Sequence, residues 1–133
     1  MNLGGVFAVA EAEAAPKTGD LATIPAAGGA ELSLRALSAT EIARDLALLP
    51  GWTEKAGMIS KTFTFSGFPE AVAFIVRISF PLEALNHHPE IRNVYGTVTV
   101  GFTTHDLGNQ LGQLDFRAAR IVEDVAARLP QKK

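Results

Sequence analysis

All three histidines of the chain lie between residues 87 and 105, as His87, His88 and His105. Histidine exchanges protons near neutral pH, because its unperturbed pKa is about 6.5. Carboxylates stand close by in the sequence at Glu83 and Asp106. Glu83 precedes His87 by one helical turn, a spacing that places two side chains on the same helix face. The pattern favours a site for general acid–base chemistry.

Two other interpretations of the histidines remain open at this point. Adjacent histidines also occur at solvated helix ends, and their clustering near an Asn-His-His-Pro turn leaves that interpretation and an acid–base site balanced. A metal site is disfavoured, because neighbouring side chains on a helix diverge by about 100°. The two histidines of an H-E-x-x-H motif, by contrast, share one helix face. The chain also has no cysteine, so we expect no metal.

Composition excludes several classes of protein. The 133 residues suffice for one domain, and the absence of cysteine excludes disulfides and thiolate catalysis. The net charge of −2, with basic residues scattered singly, argues against nucleic-acid or anionic-membrane partners. No apolar run reaches the roughly 18 residues of a membrane span, and no signal-peptide pattern opens the chain. We therefore expect a soluble, cytoplasmic protein.

Hydrophobic periodicity predicts three helices and four strands. A capping-box pattern at Ser38 and Glu41 begins the first helix, which Pro50-Gly51 ends. Pro69 opens the second helix, and Asn86-His87-His88-Pro89 ends it. The third helix is predicted over 114–129. The predicted strands are 52–55, 59–65, 91–95 and 97–104.

This order, α-β-β-α-β-β-α, predicts an α+β fold with a four-stranded antiparallel sheet and three helices packed on one face. Such a fold can bring the end of the second helix and the end of the last strand to one rim. We expect its other face to be apolar and its edges free, which favours a homodimer or homotetramer. Residues 1–31, rich in Ala and Gly, are expected to be a flexible extension, or a segment that orders on a partner subunit. Residues 32–133 form the domain.

The histidines belong to a longer pattern that resembles the signature of the pterin-4a-carbinolamine dehydratases. Its members are Glu83, His87, His88, Pro89, Tyr95, His105 and Asp115. Leu49-Pro50-Gly51-Trp52 and Thr104-His105-Asp106 also look like that family, and the resemblance covers about residues 36–129. It implies dehydration of 4a-hydroxytetrahydropterin to quinonoid dihydropterin, which a reductase then recycles, without metal or organic cofactor.

The resemblance also implies roles for individual residues. His87 and His105 would transfer protons, and His88 would orient the substrate or assist. Glu83 would polarise a histidine or anchor the pterin. The expected substrate contacts are Pro89, Thr104, Asp106 and Leu107. The alternative is a non-catalytic member of the same fold that binds proteins, stabilising transcription-factor dimers or assisting assembly of a carboxylase, although the complete histidine set favours catalysis.

Four features depart from the family pattern. Pro81 falls inside the second helix, where a proline removes a hydrogen bond and favours a kink. Gly96 and Gly112 replace a polar residue and a Ser or Thr cap. The segment 107–112 looks one residue longer than the commonest version.

Overall fold

A computed structural model describes residues 23–25 and 31–132. Most of the expected extension, residues 1–31, lies outside these residues, so its flexibility stays a prediction. Within it, and at its border with the domain, the chain forms two short antiparallel strands, β1 (Thr23–Pro25) and β2 (Glu31–Ser33). Sequence patterns did not predict this pair, because strands of three residues are too short to show periodicity.

The remaining elements follow the predicted order. The helices are α1 (Ala39–Leu46), α2 (Phe68–Leu85) and α3 (Gln113–Ala126). The strands are β3 (Thr53–Lys55), β4 (Met58–Thr64), β5 (Glu90–Val94) and β6 (Thr97–Phe102). They form an antiparallel sheet in the order β3-β4-β6-β5, which confirms the predicted α+β class and topology. Within the described part of the chain, no helix has the length and apolarity needed to cross a membrane.

The core lies between the sheet and the helices. Alternate residues of β4 and β6 are buried, as strand periodicity requires: Ile59, Phe63, Val98, Val100 and Phe102. The two long helices cover them with Ala71, Phe74, Ile78, Leu82, Phe116, Ala119, Val122 and Ala126. Full burial of such a side chain stabilises the fold by roughly 1.5–3 kcal/mol for the larger ones. This core fixes the end of α2, the end of β6 and the start of α3 relative to one another.

The opposite face of the sheet is polar, so the expectation of an apolar face is wrong. Thr62 and Thr99 are paired in register there, with their hydroxyl oxygens 2.8 Å apart. The reason is the strict alternation of β4 and β6, which gives one face to the core and the other to water. Exposed apolar side chains instead follow α2 at every fourth position: Phe68, Val72, Val76 and Phe80. The homo-oligomer itself stays a prediction.

Two of the departures from the family pattern are accommodated locally. Pro81 does not end α2, which continues to Leu85. Gly96 follows β5 where the backbone passes close to the end of β4, and a Cβ at this position would lie 2.7 Å from the Phe65 carbonyl oxygen. Real Cβ atoms do not approach an oxygen so closely, so glycine fits this turn and a larger residue requires movement.

Candidate active site

The turn at the end of α2 places His87 in the protein interior. Asn86 adopts a left-handed conformation (φ 55°), which asparagine tolerates better than most residues. Its N–H donates to the Glu83 carbonyl (2.9 Å), and the N–H of His87 donates to the Leu82 carbonyl (3.2 Å). These two bonds form a Schellman motif, which satisfies the last carbonyls of the helix. The turn leaves His87 buried and the next residue, His88, exposed.

His87 is held by Asp115, a fully buried carboxylate in the first turn of α3. The Nε2–H of His87 donates to Asp115 Oδ1 over 2.7 Å. The other carboxylate oxygen, Oδ2, accepts from the Thr104 hydroxyl (2.7 Å) and from the Gly112 N–H (2.8 Å). Three donors and the positive end of the helix dipole satisfy this buried carboxylate. Because a carboxylate only accepts, the bond fixes the hydrogen of His87 on Nε2.

His87 has a second ring nitrogen, Nδ1. Its ring stacks on Phe102 with 5.7 Å between ring centroids and 19° between planes. Among residues 34–132, no side chain or backbone group forms a hydrogen bond to Nδ1. His87 is therefore fixed in position and tautomer while one nitrogen stays available.

His105 reaches the same region from the end of β6. It opens a 3₁₀ turn, His105–Leu107, and its side chain is exposed. Its Nδ1 lies 2.6 Å from Asn109 Oδ1. The backbone before the turn is fixed by the N–H of Thr104, which donates to the Gln110 carbonyl over 3.1 Å.

One cavity of about 390 Å³ collects most of the predicted site residues. They are His87, His88, His105, Pro89, Thr104 and Asp106. Leu107 does not line it. In the part of the chain that the structure describes, no three His, Asp or Glu side chains lie close enough to hold a metal ion. That no metal is needed stays a prediction.

Glu83 does not line this cavity either, and its hydrogen-bond partner is His88. The helical spacing suggested His87, but α2 ends at Leu85, before that histidine. Glu83 Oε2 instead accepts from His88 Nε2 over 2.6 Å, and both side chains are exposed. Glu83 can therefore reach the cavity only through His88.

The segment before α1 closes the cavity from the side, through Leu34. The N–H of Leu37 donates to the Leu111 carbonyl (2.8 Å), which ties this segment to the start of α3. Arg35 forms a two-point ion pair with Glu41, whose side chain also accepts from the Ser38 N–H. The bond from Arg35, aided by Ser38, lowers the pKa of Glu41 to about 2.

Residues 35–125 match the family model described as Pterin 4 alpha carbinolamine dehydratase. The chain belongs to this family. The signature residues that suggested the resemblance lie within the matched region, and so do the cavity residues that come from α2, β6 and α3.

Known dehydratase-family proteins resemble most of the described chain. A protein from Rhizobium etli is 48% identical over 94 residues, which cover 69% of this chain and 92% of its own. One from Opitutus terrae is 42% identical over 90 residues, which cover 68% of this chain and 93% of its own. Both carry the name “Putative pterin-4-alpha-carbinolamine dehydratase”. A solved Brucella melitensis structure, described as a transcriptional coactivator/pterin dehydratase, is 32% identical with a TM-score of 0.65, covering 69% of this chain and 99% of its own.

Two residues of the candidate site were not assigned a role from sequence. Asp115 appeared only as the last member of the signature, yet it is the group that holds His87. Its position three residues after a Gly at the helix start was the available signal, because an acidic residue there can accept from the free N–H groups of the first turn. Asn109 gave no signal beyond its place in the longer loop.

Proposed function

We propose that the chain dehydrates 4a-hydroxytetrahydropterin to quinonoid dihydropterin by histidine acid–base catalysis. One observation carries the proposal: all three histidines line one cavity, and His87 is locked onto the buried carboxylate of Asp115. Family membership supports a pterin as substrate. The cavity volume of about 390 Å³ falls within the roughly 300–1,000 Å³ typical of small-molecule sites.

The reaction breaks the C4a–O bond and a ring N–H bond and forms a C=N bond. The hydroxyl leaves as water after it receives a proton, and the ring nitrogen gives a proton to a base. His87 and His105 are the proposed pair, and their nitrogens exchange protons with solvent between turnovers, so no net proton is consumed. Each positioned acid or base typically contributes about 10²–10⁴-fold. Asp115 would balance the positive charge of an imidazolium at His87 during the transfer.

The other predicted residues are proposed to position the pterin. His88, oriented by Glu83, would contact the substrate at the cavity mouth. Pro89 and Asp106 would shape the wall, and Thr104 would act mainly through its bond to Asp115. Leu107 is not on the cavity surface, so its contribution would be packing against the loop near Gly112.

The experiment is to add purified protein to chemically generated 4a-hydroxytetrahydropterin and follow quinonoid dihydropterin by absorbance. The expected result is a rate above the spontaneous reaction that rises in proportion to protein concentration. His87→Ala and His105→Ala should each lower kcat by about 10²-fold or more. A folded wild-type protein that gives no acceleration at micromolar concentration would refute the proposal.

A protein-binding module is the second candidate, and one observation favours it. The exposed apolar side chains along α2 form a hydrophobic surface of the kind that binds other proteins. The solved Brucella relative is described as a transcriptional coactivator as well as a dehydratase. The same assay separates the two, because a binding module without turnover leaves the spontaneous rate unchanged. Pterin recycling, a cytoplasmic location and a homodimer or homotetramer remain parts of the proposal.

A further inference from the structure

The loop that follows β6 turns the side chain of Asn109 back onto His105. The Asn109 Oδ1 atom lies 2.6 Å from His105 Nδ1. An amide oxygen only accepts hydrogen bonds, so this bond requires a hydrogen on Nδ1. A neutral imidazole carries one hydrogen, and its Nε2 is then bare and able to accept a proton.

The backbone of the loop is fixed in the conformation that brings Asn109 there. Gly108 (φ 69°) and Asn109 (φ 59°) are both left-handed, a region that glycine and asparagine occupy at lower cost than other residues. The N–H of Gly108 donates to the His105 carbonyl over 2.9 Å. The loop therefore folds back on His105 instead of leading directly into α3.

A second anchor holds the loop from the β3–β4 turn. A Cβ on Gly57 would collide with the Asn109 carbonyl oxygen, so the two backbones are in direct contact. The Thr103 hydroxyl, at the end of β6, donates to the Gly57 carbonyl over 2.6 Å. Asn109 is thus supported by contacts that do not involve His105. Within residues 34–132, the His105 ring has no other hydrogen-bond partner.

We propose that Asn109 is a positioning residue that holds His105 in the Nδ1–H tautomer, so that Nε2 is the base that takes the proton from the ring nitrogen of the pterin. The role in catalysis rests on the proposed function. The two histidines then offer different nitrogens to the substrate. His87 donates from Nε2 to Asp115 and offers Nδ1, whereas His105 donates from Nδ1 to Asn109 and offers Nε2.

The test combines the imidazole ¹⁵N spectrum of His105, recorded with the ring neutral, with steady-state kinetics. Asn109→Gly removes the amide but keeps a residue suited to the left-handed backbone. Asn109→Asp keeps an acceptor at the same position and also tolerates this conformation. Gln110→Ala, an exposed neighbour whose side chain forms no hydrogen bond to the described residues, is the matched control.

The expected wild-type spectrum shows the Nδ1–H tautomer. Asn109→Gly should populate both tautomers and lower kcat about 2- to 10-fold at unchanged KM, the range expected for one ordinary hydrogen bond. Asn109→Asp should restore the tautomer and most of kcat, and Gln110→Ala should match wild type. A wild-type ring with its hydrogen on Nε2, a tautomer unchanged in Asn109→Gly, or a lost tautomer with unchanged kcat would each overturn the proposal.

The ¹⁵N spectrum distinguishes a failure of this proposal from a failure of the proposed dehydratase function. A wild-type protein without dehydratase activity would overturn the dehydratase assignment and the catalytic role of Asn109 together. The tautomer measurement would still show whether Asn109 controls the ring of His105, since it requires no substrate.

Discussion

Replacing Asp115 by asparagine changes one atom of the side chain and reverses the hydrogen-bond requirement at His87. Asp115 Oδ2 accepts from Thr104 and from the Gly112 N–H, and the amide oxygen of an asparagine can keep both bonds. The amide nitrogen must then face His87, where it donates. His87 Nε2 has to accept, so the hydrogen of the neutral ring moves to Nδ1, the nitrogen proposed to face the substrate.

The magnitudes follow from the burial of Asp115. Removing the whole side chain in Asp115→Ala would leave three donors without an acceptor, at about 1–3 kcal/mol each. That loss is comparable with the total stability of a small domain, about 5–15 kcal/mol. Asp115→Asn keeps two of the bonds, so we expect it to lower the free energy of unfolding by only about 1–3 kcal/mol. With His105 as the proposed base, His87 is the acid and must carry hydrogens on both ring nitrogens. An amide that donates to Nε2 disfavours this imidazolium, so kcat should fall by about 10²–10⁴-fold.

The assay pairs urea unfolding with steady-state dehydration. The control is Asp124→Asn, the same change at an exposed position of the same helix, which should leave both stability and kcat close to wild type. The reasoning is refuted if Asp115→Asn is folded, has the altered His87 tautomer in its ¹⁵N spectrum and still turns over at the wild-type kcat.

Three further results are expected. His88→Ala should raise KM more than it lowers kcat, because an orienting group contributes binding shared by ground and transition states; a selective loss of kcat would instead make His88 an acid or base. Added chelator should leave the dehydration rate unchanged, and a loss reversed by a specific metal would contradict the metal-free mechanism. Glu41→Gln should destabilise the protein at pH 7, where the lowered pKa of Glu41, about 2, favours folding. The difference in stability between wild type and Glu41→Gln, measured as urea midpoints, should shrink as the pH falls from about 4 towards 2. A difference that stays constant over this pH range would show that the Arg35 ion pair does not stabilise the fold.

Local signals in the sequence predicted most of the fold. The capping box at Ser38 and Glu41 begins α1 as expected, with both of its hydrogen bonds formed. The Asn-His-His-Pro segment ends α2, because Asn86 can take the left-handed conformation that the helix end requires. Hydrophobic periodicity over 59–65 predicted β4, in which Ile59 and Phe63 are buried. These features depend on neighbours in sequence, which is why periodicity and capping patterns reveal them.

Contacts between distant residues were not predictable in this way. The bond between His87 and Asp115 depends on how the end of α2 packs against the first turn of α3. The pairing of Glu83 with His88 depends on α2 ending two residues before His87, which redirects the histidine that helical spacing had matched to Glu83. The contact between Gly57 and Asn109 joins two turns that no periodic pattern relates.

The most direct test of the account is the single-turnover dehydration rate of 4a-hydroxytetrahydropterin with wild-type protein and with the His87→Ala/His105→Ala double variant. Both proteins must show the same far-UV circular dichroism, so that the comparison concerns the site. We expect rapid dehydration by the wild type and a rate close to the spontaneous one with the double variant, because both proposed proton-transfer groups are gone. A folded double variant that dehydrates the pterin at the wild-type rate would contradict the assignment of this cavity as a histidine acid–base site.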